Sequence, residues 1–309
     1  MSVEYKTADS LSDTDVAPSA ISQISKPWIT ILAIVASLGA FIGLAIKNDY
    51  ESWTTLALFG YLPAEEIRTG SYWALITSTF VHFAAWHVAL NVYWLWVLGS
   101  RMERAVGGRV YLAFFLCSAF VSSASQLAAS ETTGIGASGV VYAIFGFMWP
   151  TRRKYSKFAE ILDWRTIQLF LIWMGGCIVA EYLKVAHIGN AAHVFGFLFG
   201  ATVARGFALP FMPKLFRSAA AILLIAGAVP LFWCPWSVSW LSTAAYEAHV
   251  AEKYEEAIGR YTQIIRIDPD NSWAYLNRSY AFEALGDNAK AQTDIQHARE
   301  IDSEIENQP

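Results

Sequence analysis

The run Gly134-Ile135-Gly136-Ala137-Ser138-Gly139-Val140-Val141-Tyr142 joins a loop of small residues to an apolar helix. The helix it opens, 138–150, is short for a crossing, because a hydrocarbon core of ~30 Å needs roughly 20 apolar residues. A short helix entered by a glycine-rich loop places non-helical backbone within the depth of a membrane. Such backbone is tolerated only where protein shields it or a water-filled cavity faces it. A hydroxyl at that depth is costly and usually has a purpose.

The surrounding chain is built for a bilayer. Of 309 residues, 55% are hydrophobic and only 16% charged, and 13 are tryptophan, a residue favoured at membrane interfaces. Apolar segments run over 28–46, 82–98, 110–129, 138–150, 166–183, 189–208 and 218–240. Acids concentrate in the first 25 and last 65 or so residues, so the net charge of -4 describes the tails. No basic stripe suggests nucleic acid. Cys117, Cys177 and Cys234 lie in apolar stretches without metal-ligand spacing, and an odd count argues against a disulfide framework.

Basic residues give the orientation. Thirteen Lys and Arg fall in the N-terminal tail and in loops 99–109, 150–165 and 205–217, against three (Lys47, Arg68, Lys184) in the alternate loops. That asymmetry predicts a cytoplasmic N-terminus. The Ser/Asp-rich start, within 1–27, reads as a disordered tail. A crossing at 218–240, interrupted by Pro230 and Pro235 but ending in aromatic residues, puts the C-terminal region outside. The domain reading is a membrane core at 28–209, a seventh segment within 210–242, and a soluble tail at 243–309.

The tail repeats at an offset of 34: Tyr246 recurs as Tyr280, Ala257 as Ala291, and Ile267-Asp268 as Ile301-Asp302. A 34-residue helix-turn-helix period with small packing residues resembles the tetratricopeptide repeat. Such units form concave peptide-binding surfaces, so a peptide or protein ligand is expected. Two units are fewer than the three usually needed for independent stability. The tail is therefore expected to lean on the membrane part or to pair with another copy.

Four polar residues interrupt the apolar spans: His87, Asn91, Ser138 and His193. Singly, a serine or asparagine between helices more often serves packing or an interhelical hydrogen bond. Depth unites them. His87 and Asn91 are one turn apart on one face in the outer half of the second span. Ser138 opens the fourth, and His193 falls just inside the outer start of the sixth. Neutral imidazole can activate a serine for acyl transfer, and Asn, His and the unsatisfied Ser138 N–H at a helix start can face an oxyanion. Glu131 and Glu181 lie near outer ends and are at most peripheral, which favours a Ser-His dyad over a triad. The sequence around Ser138 is also not the G-x-S-x-G elbow of soluble hydrolases.

Three motifs, His82-x4-His87-x3-Asn91, Gly136-Ala137-Ser138-Gly139 and His193-x2-Gly196-x3-Gly200, closely resemble those of the rhomboid family of intramembrane serine proteases over about 28–208. The resemblance implies an all-α six-helix core, here followed by a seventh transmembrane helix and the repeat tail. It implies Ser138 as nucleophile, His193 as general base and then acid, and His87, Asn91 and the Ser138 N–H as oxyanion hole. Tyr142 matches an aromatic residue packed on the histidine, Gly136 a position that bound substrate approaches, and His82 a structural histidine. Trp73-Ala74 stands where the family often carries Trp-Arg. No metal or organic cofactor is implied. The expected partners are the lipid bilayer and membrane-protein substrates, and the expected location is a bacterial plasma membrane. A membrane adaptor that binds without cutting is the competing reading, against which intact Ser138 and His193 argue. A proton-relay transporter would want acidic residues within the spans.

Overall fold

The structure is a computed structural model and describes residues 26–303; the expected disordered tail lies almost wholly outside them. Helix α1, Trp28–Lys47, is followed by a connection with three short helical turns, Trp53–Leu58, Ala64–Arg68 and Ala74–Thr77. Helix α2, Ala85–Trp94, continues through a π turn, Leu95–Gly99, into Ser100–Val106. Then come α3 (Gly108–Ser130), α4 (Ser138–Thr151), α5 (Trp164–Tyr182), α6 (Asn190–Val203, with a π turn to Ala208) and α7 (Pro213–Phe232). No strand occurs among the described residues.

The periodic apolar segments fold as expected, with shifts at their ends. His82 lies before the second helix, on the sharp bend of 102° between Ala74–Phe80 and Ala85–Val106. The seventh segment begins earlier than expected, with Pro213 in its first turn, and it stops at Phe232. Pro230 is accommodated because it falls in the last turn, and Pro235 sits in the connector that follows. Trp240, expected at the end of the span, instead belongs to the next helix.

Among the described residues, four helices are long and apolar enough to cross a membrane: Trp28–Lys47, Gly108–Ser130, Asn190–Ala208 and Pro213–Phe232. The bent pair makes a fifth if it is one span. Leu32, Val35, Ile42 and Ile46 on α1, and Ile222 and Ile225 on α7, are exposed. Apolar faces of that extent need lipid rather than water around them. This is an integral membrane protein.

Helix α4 is the centre of the bundle. It spans only ~21 Å at 1.5 Å per residue, and Gly139 through Met148 are all buried. Its closest neighbour is α6, and glycines set the approach. A methyl group on Gly196 would strike the Gly139 carbonyl oxygen, and one on Gly200 would strike the Ala143 carbonyl oxygen. From the other side, Gly146 meets the Phe197 carbonyl. The two backbones touch, as small-residue faces allow in membranes.

Glu103, a buried carboxylate, fastens the opposite end of the bundle. It accepts from the Ile29 and Thr30 N–H groups (both 2.9 Å) and from the Thr30 hydroxyl at 2.8 Å. These are orphan donors at the start of α1, so a residue from the α2 continuation caps a helix far away in sequence.

The tail folds as two antiparallel helix pairs, α8 (Val238–Val250) with α9 (Tyr254–Ile267), and α10 (Ser272–Ala284) with α11 (Asn288–Ile301). Leu241, Ala245, Ala257, Tyr261 and Ile264 form the core of the first pair. Arg278 bridges to Asp294 through two hydrogen bonds of 2.7 and 2.8 Å and joins the helices of the second. Of the two expected supports, contact with the membrane part is seen: α8 packs on Ala64–Arg68.

Candidate active site

Ser138 is the first residue of α4, entered from Ala137, so its backbone N–H is one of the donors a helix start leaves free. His193 sits in the first turn of α6. The backbone contact of the two helices brings the side chains together, with Ser138 Oγ 2.7 Å from His193 Nε2. With the hydroxyl donating, Nε2 is the acceptor and the ring proton resides on Nδ1. Nδ1 is buried, and no group among the described residues accepts from it. Among the described residues, no carboxylate stands behind the ring to orient it.

Packing orients the imidazole instead. The Tyr142 ring, one turn beyond Ser138, lies 4.7 Å from the His193 ring at 36°. Its own hydroxyl donates to the Phe170 carbonyl at 3.1 Å, which ties the aromatic platform to α5. His193 is 5% exposed.

The loop before Ser138 packs on the start of α2. Gly136 has φ +89, and a methyl group there would meet His87 Cε1 at 2.8 Å and His82 Nε2 at 2.9 Å. Only glycine serves at such a position. The two histidine rings are 5.0 Å apart. His82 is fully buried, and its Nδ1–H donates to the Phe80 carbonyl at 3.1 Å, which suits a buttress behind the loop. Asn91 is buried as well, and its amide donates to the His87 carbonyl at 3.0 Å.

Two cavities converge on Ser138. The larger, about 530 Å³, takes in His87, Gly136, Gln126 and His193. The smaller, about 220 Å³ and almost wholly apolar, lies between α2 and α5 and takes in Asn91, Tyr142, Phe170 and Trp173. The structure therefore gathers Ser138, His193, His87, Gly136 and Tyr142 as the sequence suggested, while Asn91 opens onto the second chamber. A hydroxyl hydrogen-bonded to an imidazole, with further donors beside it, is an arrangement chemically suited to acyl transfer.

The sequence is matched by the model of the rhomboid domain over residues 69–210. Residues 69–210 are a rhomboid domain. A tetratricopeptide repeat model matches residues 261–293. The chain is similar to "Rhomboid protease GluP" of Bacillus subtilis (strain 168), 26% identical over 251 residues, which is 81% of this chain and 48% of that protein. It is also similar to "Rhomboid protease GlpG" of Yersinia pseudotuberculosis serotype I (strain IP32953), 28% identical over 178 residues, 57% of this chain and 61% of the relative. The chain thus spans about half to three-fifths of the curated relatives it matches.

Within the rhomboid domain, sequence reasoning missed Gln126. Its carbonyl oxygen accepts from the Ala192 N–H at 3.2 Å, and its amide donates to the Ser130 hydroxyl at 2.7 Å. It thereby ties α3 to the first turn of α6, beside His193. The available signal was polar spacing, since Ser118, Ser122, Gln126 and Ser130 stand at four-residue intervals on a largely apolar helix.

Proposed function

We propose that this protein is an intramembrane serine endopeptidase that cleaves transmembrane or juxtamembrane segments of other membrane proteins with a Ser138–His193 dyad. The observation that carries the reading is the 2.7 Å approach of Ser138 Oγ to His193 Nε2 inside a rhomboid domain.

In this mechanism Ser138 Oγ attacks the scissile carbonyl carbon while Nε2 takes its proton. The carbonyl oxygen, now an oxyanion, lies toward the Ser138 N–H and the side chains of His87 and Asn91. For Asn91 to donate, its amide must leave the His87 carbonyl, a change of the sort that substrate binding brings to apo geometry. The imidazolium then protonates the leaving amine. Water, deprotonated by His193, hydrolyses the acyl-enzyme. No step needs a metal or an organic cofactor.

A helical substrate sheathes its peptide bonds in its own hydrogen bonds, so it must unwind locally to reach Ser138. Substrate helices with weak helix propensity near the cut are the expected class. The distribution of Lys and Arg supports a cytoplasmic N-terminus, a site opening toward the outer leaflet, and repeats on the extracytoplasmic side of a bacterial plasma membrane. The tail's peptide or protein ligand is part of the same reading.

The test is cleavage of a labelled single-pass substrate by purified protein in detergent. Wild type should cut and Ser138→Ala and His193→Ala should not; cleavage that survives Ser138→Ala sinks the proposal.

A further inference from the structure

Glu131 sits at the C-terminal end of α3 with φ +62, a conformation that few non-glycine residues adopt. Seven residues later comes Ser138, and the stretch between them holds Gly134 and Gly136, both in left-handed backbone. Glu131 is therefore the point where a rigid helix hands over to the loop that shapes the candidate active site.

Its carboxylate is bound to the tail. The Val238 N–H donates to it at 2.8 Å, the Ser239 N–H at 3.3 Å and the Ser237 hydroxyl at 2.9 Å, with the Ser239 hydroxyl joining them. These groups are the opening turn of α8, where orphan N–H donors and the helix dipole both favour a negative charge. Arg68, from the connection between α1 and α2, completes the cluster. Its side chain is 2% exposed, and it reaches Glu131 at 3.5 Å and the Ser239 hydroxyl. Trp236 closes the same seam by donating from its indole N–H to the Ala128 carbonyl at 3.0 Å.

One carboxylate thus joins three segments: the connection after α1, the head of the active-site loop, and the first repeat helix. A flexible tether between a protease and an accessory domain would need none of this. A buried guanidinium left without its carboxylate is strongly destabilising, so the three segments hold or release together.

We infer that Glu131 is a positioning residue, through which the docked repeat tail sets the conformation of the Gly134–Gly136 loop and so the reactivity of Ser138. This rests on the hydrolase reading above. The tail then acts as a fixed wall of the enzyme. A ligand that shifts α8 would alter catalysis through Glu131.

The test uses full-length protein in detergent, the rate at which a fluorophosphonate probe labels Ser138, and kcat/KM on a labelled single-pass substrate. The variants are Glu131→Gln, the tail pair Ser237→Ala/Ser239→Ala, and their combination. Arg278→Ala weakens the repeat away from the dock and controls for loss of tail stability. Residues coupled through one network are non-additive. The expected result is a loss of about fivefold to tenfold in both rates for either dock variant, the scale at which remote changes modulate a site. The combination should be no slower than the worse of the two, and Arg278→Ala should match wild type. Dock variants that label at the wild-type rate, effects that multiply, or an equal loss in Arg278→Ala would each overturn the inference. Should Glu131→Gln fail to fold, the serine pair against Arg278→Ala decides. Wild-type protein that never labels at Ser138 refutes the hydrolase reading itself, and the inference with it.

Discussion

Gly196 lies directly against the carbonyl oxygen of Gly139, with no room for a methyl group between them. Gly139 follows Ser138, and Gly196 lies one turn after His193. The contact that joins the two helices therefore also sets the gap between hydroxyl and imidazole. Packing and chemistry share one coordinate here.

It follows that Gly196→Ala should separate the dyad. Because Gly139 offers backbone rather than a movable side chain, α6 must shift as a whole. A displacement near 1 Å in a reacting pair costs on the order of 100-fold, and overpacking costs about 1–3 kcal/mol of stability. Probe labelling of Ser138 and a thermal melt measure the two effects. A labelling rate within twofold of wild type would refute the argument.

Asn91→Ala isolates the oxyanion role. In the present structure the amide bonds only to the His87 carbonyl within its own helix, so its loss should alter stability by only about 1 kcal/mol. Turnover should nonetheless fall about 10²–10³-fold with KM little changed, as for loss of an oxyanion donor. A rise in KM with kcat unchanged would instead assign Asn91 to binding.

Tyr142 separates ring from hydroxyl. Tyr142→Phe keeps the platform under His193 and forfeits one hydrogen bond to Phe170, so near-normal turnover and a loss of about 1 kcal/mol are expected. Tyr142→Ala removes the platform, costs about 3–5 kcal/mol as a large-to-small change, and should slow labelling much more than Tyr142→Phe. Equal rates in the two variants would show that the ring does not orient the imidazole.

In the tail, Asp287 gives a pH signature. Hydrogen bonds from the Lys290 side chain and then the Lys290 N–H hold its carboxyl below the ordinary aspartate range. A carboxyl depressed by folding stabilises fully above its unfolded pKa and loses that contribution as pH falls through the folded one. Amide exchange in α11 should accordingly speed up as pH drops below about 4, after correction for intrinsic exchange. Asp287→Asn, still an N-cap, should flatten that dependence.

The sequence alone marked out the apolar helices and the repeat tail, and it singled out Ser138, His193 and His87, because each leaves a local mark; Gly136 and Tyr142 entered through the resemblance to rhomboid proteases. Apolar runs, a period of 34, and polar residues inside apolar helices are visible along the chain without knowing what touches what. Tertiary structure decided how those residues meet. That Asn91 borders a second cavity follows from the placement of α5, whose Leu169, Phe170 and Trp173 form the facing wall. That Glu103 caps α1, Gln126 holds the start of α6, and Glu131 joins Arg68 to α8 follows from contacts between segments 63 to 108 residues apart. A carboxylate at a loop end reads as peripheral in a sequence, since its partners are backbone N–H groups that every residue possesses. Only the folded chain shows which of those donors a helix start leaves free, and which carboxylate reaches them.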